Sequence, residues 1–67
     1  MTNNVKRRLK IALKHSQKTK ENLQIASDLA KAENEDNTMY IVTVKEQCDE
    51  LTESITELLK QDERWKQ

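Results

Sequence analysis

No glycine and no proline occur anywhere in this chain of 67 residues. Those two residue types supply most tight turns, and glycine also forms the backbone cradle of phosphate-binding loops. Their absence removes a Gly-rich nucleotide site and leaves long helices joined by polar residues as the simplest architecture. A chain this short makes at most one small domain, residues 1–67, and buries too little surface to be comfortably stable without a disulfide, a metal or association. One cysteine, Cys48, closes no internal disulfide, and with one histidine, His15, it falls short of the roughly four ligands of a structural zinc site. The expectation is therefore no cofactor, a reduced cytoplasmic setting, and stability gained by association. Near the N-terminus the only continuous apolar run is Ile11, Ala12 and Leu13, too short for a signal core or a membrane span.

Hydrophobic spacing marks two helices. Positions 5, 9, 12, 16, 19, 23, 26 and 30 hold Val, Leu, Ala, Ser, Thr, Leu, Ala and Ala, a heptad seam of small residues. Positions 41, 44, 48, 51, 55, 58, 62 and 65 hold Ile, Val, Cys, Leu, Ile, Leu, Asp and Trp, a bulkier seam. Between them the polar residues 33–37 are the place to reverse direction, with Asp36, Asn37 or Thr38 suited to cap the second helix. The fold class is all-α: an antiparallel, coiled-coil-like two-helix hairpin with helix 5–33, turn 34–37 and helix 38–65. Folding about the turn sets Ala30 opposite Ile41, Ala26 opposite Val44, Thr19 opposite Leu51, Ser16 opposite Ile55 and Ala12 opposite Leu58. Small meets large in each layer, as close packing requires. The same register brings His15 to Ser54, Asn22 to Gln47 and Leu29 to Tyr40. Leu9 would face Asp62, which is expected to stay solvated near the open end, where Val5 and Trp65 meet. A competing pattern, β-branched residues over 38–44, makes that stretch a strand.

A single seam leaves apolar residues over. Ile25, Leu29 and Ala32 form a second stripe close to Met39 and Tyr40, an association face on which two hairpins would pair as a four-helix bundle. Charge is segregated: residues 1–20 hold seven Lys or Arg and no acid, and residues 46–63 hold seven acids and one Lys. Arg7, Lys10, Lys14 and Lys18 make a basic face for nucleic acid or an acidic partner. Glu46, Asp49, Glu50, Glu53, Glu57 and Glu63 make the opposing acidic flank.

Catalysis finds little footing. The register sets Cys48 opposite Leu23 and His15 opposite Ser54, too far apart for a nucleophile and its base, and two helices offer no concave site to tune a carboxylate. The expected role is a small non-catalytic protein–protein interaction module, a homodimer that regulates or inhibits a protein target. In outline the paired seams and the basic first helix resemble the plasmid-encoded Rop family, short helical hairpins that form four-helix dimers. The resemblance is one of architecture, with no motif that carries residues across, and it implies an RNA-binding dimer as the alternative. The acidic second helix and the zero net charge weigh against nucleic acid.

Overall fold

The computed structural model describes residues 1–65, and the side chains of residues 1–62. Among the described residues there are two helices and no strand: α1, Asn3–Ala32, and α2, Thr38–Trp65. They pack side by side as a rod of 50 × 15 × 12 Å. Their antiparallel sense is fixed at the open end, where the Met1 ammonium meets Asp62. The expected contact of Val5 with Trp65 and the outer position of Glu63 lie outside the described side chains.

Local chemistry sets the helix ends. α1 begins two residues before Val5, because the Thr2 hydroxyl accepts the Val5 N–H at 3.2 Å and so satisfies a donor that has no partner within the helix. At the other end the Glu35 N–H reaches back to the Ala30 carbonyl at 3.0 Å and the Asn34 N–H to the Lys31 carbonyl at 3.4 Å. This pair of bonds is a Schellman stop, and it requires a left-handed residue at the first position past the cap. Asn34 provides it with φ of 55°. In a chain without glycine, asparagine is the residue that tolerates this conformation best. α2 then starts from the Asn37 carbonyl, which accepts from Tyr40 and Ile41, while the Thr38 hydroxyl donates back to the Glu35 carbonyl at 2.7 Å.

Residues 38–44 are helical, so the strand pattern does not hold. The Thr43 hydroxyl donates to the Met39 carbonyl at 3.0 Å, which absorbs a β-branched polar residue into the helix. Packing along α1 overrides the local propensity.

The seam between the helices differs from the expected one. Ser16 meets Thr52, with 3.1 Å between the hydroxyl oxygens, and the Cys48 thiol donates to the Ser16 carbonyl at 3.5 Å. The expected partner of Ser16, Ile55, lies nearly a full turn further along α2. Both helices are also rotated, so Ser16, Ser27 and Ala30 of α1 and Thr52, Ile55 and Asp62 of α2 are buried. Leu9, Leu13, Leu23, Ile41 and Leu59 are half-buried along the same line. Val44, Leu51 and Leu58 stand 48, 55 and 44% exposed, outside the seam they were expected to fill.

Polar chemistry explains the rotation. The Ser16 hydroxyl donates to the Leu13 carbonyl at 2.9 Å, and the Thr52 hydroxyl is shared between the Cys48 carbonyl at 2.9 Å and the Ser16 oxygen, which accepts. Small hydroxyl and methyl side chains let the two backbones approach closely while buried polar groups keep their bonds. At the open end Asp62 is turned inward, not solvated, because the Met1 ammonium sits 2.7 Å and the Lys6 ammonium 3.0 Å from its carboxylate oxygens.

Candidate association surface

The rotation creates two unlike sides to the rod. Seam positions on α1 run through 9, 13, 16, 20, 23, 27 and 30, and on α2 through 41, 45, 48, 52, 55, 59 and 62. Stepping back one residue from a seam position turns about 100° around a helix. In an antiparallel pair that turn leads to the same side of the rod on both helices. On α1 it brings Ala12, Thr19 and Ala26 to this side, with His15, Asn22 and Leu29 at its edge. On α2 it brings Val44, Leu51 and Leu58, with Tyr40, Gln47 and Ser54 at the edge. None of these twelve residues is Lys, Arg, Asp or Glu; the same step from Leu9 leads to Arg8 and from Asp62 to Gln61, so this side carries a formal charge only at its open end.

The opposite side is charged. There Asp49 draws two lysines outward from the seam line, Lys20 of α1 at 3.6 Å and Lys45 of its own helix at 3.8 Å. Such half-exposed pairs contribute little, about 0.2–1 kcal/mol each, but they mark this side as one that water keeps. Around the outer flank of α1, Arg7, Lys10 and Lys14 line one groove together with Asn3, Lys6 and Ile11. Lys18 follows one turn after Lys14 and does not line the groove. Lys6 is already engaged by Asp62.

The five residues expected to form an association face are all exposed, and Ile25, Leu29 and Ala32 follow one another along one outer stripe of α1. Leu29 and Tyr40 lie at the edge of the uncharged side, 54 and 77% exposed. Ile25 lines an outer groove of α1 with Gln17, Lys20, Glu21 and Gln24. Ala32 falls on the same outer stripe as Ile25, two turns on, and Met39 lies on the outer surface of α2. The residues the sequence pattern did not assign to a free surface are Val44, Leu51 and Leu58. Their heptad spacing was visible, but it was already explained by the intramolecular seam.

Asp62 is the group whose ionisation is most clearly displaced. Hydrogen bonds from the Met1 ammonium and then from Lys6 hold its carboxyl down at about 2, against 3.8 for an ordinary aspartate, while burial works in the other direction. It is a clasp between the chain's two ends. Cys48 sits at the level of Ser16, closer to His15 along the rod than the expected register put it. His15 is exposed, and the thiol is engaged by the main chain, so the two are not arranged as a nucleophile and base. Among the described residues no three His, Cys, Asp or Glu side chains gather in a metal-binding group, and no helix is long and apolar enough to cross a membrane.

Comparison with known proteins brings no match, whether to a family model, a curated protein or a solved structure.

Proposed function

We propose that the chain is a small non-catalytic protein–protein interaction module that pairs with itself as a four-helix bundle and acts on a protein target as a regulator or inhibitor. The observation that carries this reading is an inverted distribution of side chains. Ala30 and Ile55 are the buried hydrophobic residues among those described, whereas Val44, Leu51, Leu58, Ile25, Leu29 and Tyr40 are all exposed. A hairpin that buries hydroxyls and exposes leucines has kept its main hydrophobic driving force for contact with another molecule. The grooves among the described residues are open to solvent, a setting suited to contact with another molecule.

A second reading, a nucleic-acid-binding dimer, rests on the groove that groups Arg7, Lys10 and Lys14 on one flank of α1. The two separate in a titration of labelled RNA and duplex DNA across a salt series. Weak, salt-insensitive binding is the expected result. Tight binding that collapses as salt rises, the signature of counterion release, would overturn the protein-target reading in favour of the second.

A further inference from the structure

Resting on the reading of the chain as a self-associating hairpin, we propose that a second copy docks on the uncharged face, with the twofold axis parallel to the helices. In this arrangement α2 of each chain lies over α1 of its partner. Ala12, Thr19 and Ala26 then receive the partner's Leu58, Leu51 and Val44.

Rotation is the first support. The seam and the uncharged stripe are offset by one residue on both helices, a turn of about 100°. In a square four-helix bundle each helix has two neighbours, seen from its axis at nearly a right angle. α1 and α2 are thus both equipped for one neighbour within the chain and a second one outside it. A lone docking helix would lie along the shallow groove and leave one of the two stripes uncovered.

Complementarity is the second. The α1 side of the face is a trough lined by Ala12, Thr19 and Ala26, and the α2 side is a ridge of Val44, Leu51 and Leu58. A surface with its own complement beside it is what an isologous contact needs, since the same patch must fit itself. With the axis along the helices, residues keep their level on the rod, and each large side chain lies within about 3 Å of the small one it faces. At the edges His15 meets the partner's Ser54, Asn22 meets the partner's Gln47, and Leu29 meets the partner's Tyr40, so polar lies over polar and apolar over apolar. An axis across the helices would instead stack ridge on ridge at Leu51 and leave a void where trough faces trough, which close packing disfavours.

Extent and charge agree. The side of the rod that carries the face, 50 Å by 15 Å between Cα atoms at its full extent, comes close to the roughly 800 Å² per partner of a standard protein interface. Arg8, at the open end, is the one formal charge on this side, and with the axis along the helices it faces the partner's Gln61 and not a second arginine, so like charges do not meet.

Single-cysteine chains in a Cys48→Ser background test the arrangement, because such a chain can form a disulfide only with another copy. Under mild oxidation with glutathione, a mixture of Thr19→Cys and Leu51→Cys chains is expected to give the mixed disulfide dimer, and neither chain alone should give one. A Leu51→Cys chain that bridges to itself would overturn the axis, and no bridge in the mixture would overturn the docking. Sedimentation equilibrium tests the face independently. Leu51→Glu is expected to weaken the dimer about a hundredfold or more, from burial of an unpaired charge. Ile25→Glu, on the outer stripe, should leave it within about threefold. If the two variants behave the other way round, self-association stands and this face is wrong. A wild-type chain that stays a folded monomer at every concentration removes self-association itself.

Discussion

The seam and the uncharged face lie one residue apart on the same helices, yet they work by different physics. Along the seam, serine, threonine and alanine bring the backbones close and satisfy buried hydroxyls, and an ion-paired carboxylate closes the open end. Along the face, valine and leucine wait beside alanine and threonine with nothing over them. A polar seam is directional and fixes how two helices align, but its net hydrogen bonds contribute only about 1 kcal/mol each. An apolar face is non-directional and stronger, at about 25 cal/mol per Å² covered. Under the proposed pairing the labour divides: geometry is set within the chain, and stability is gained from the copy that covers the face.

The largest expected effect breaks the face and spares the seam. Val44→Glu places a charge in the turn-side layer of the proposed contact, so association should weaken by several kcal/mol. Because Val44 is half-exposed in the hairpin, helical content at a concentration where the wild type is monomeric should be unchanged. Circular dichroism beside sedimentation separates the two quantities.

Next in size is damage to the seam alone. Ser27, 1% exposed, has no room for a larger side chain, and Ser27→Leu should cost about 1–3 kcal/mol by overpacking. The cost should appear as a lower urea midpoint at every protein concentration, unlike that of Val44→Glu. Equal behaviour of the two variants would erase the distinction between the regions.

Acid should loosen the seam from its open end. The folded carboxyl of Asp62 titrates at about 2 and an unfolded one at 3.8, so its contribution is fully present above 3.8 and drains away as pH falls through about 2. The melting temperature of wild type should fall more steeply than that of Asp62→Asn across this window, and the two curves should run parallel above it.

The smallest effect belongs to the charged side. Lys20→Ala removes the interhelical pair with Asp49, and stability should change by about 0.5 kcal/mol or less, with the difference vanishing in high salt. A thermal melt at two salt concentrations measures it.

Much of this was written in the spacing of the chain. The heptads of both helices and the polar stretch between them follow from periodicity; the intrachain match of Ala12, Thr19 and Ala26 with Leu58, Leu51 and Val44 does not hold, because those three large residues stand exposed. What periodicity does not say is which of two adjacent stripes turns toward the chain's own partner helix. That choice depends on contacts between residues far apart in sequence: Ser16 with Thr52, and Lys6 and Met1 with Asp62. Asp62 looked misplaced because the cations that pair with it come from the other end of the chain. Thr2 was legible as a cap in principle, since threonine is favoured there, but the apolar period starts only at Val5.

Asn34 has a further bearing on the size of the particle. Direction reverses at this one residue with positive φ, where every non-glycine side chain resists the left-handed conformation by roughly 1–2 kcal/mol. Returned to the right-handed region, the same backbone runs straight through, and the 50 Å hairpin becomes one continuous rod of about 95 Å at 1.5 Å per residue. Such rods would find their seams on each other, exchanging helices between chains. The turn thus acts as a torsional ruler, and small-angle scattering of an Asn34→Ala chain would read its setting directly as particle length.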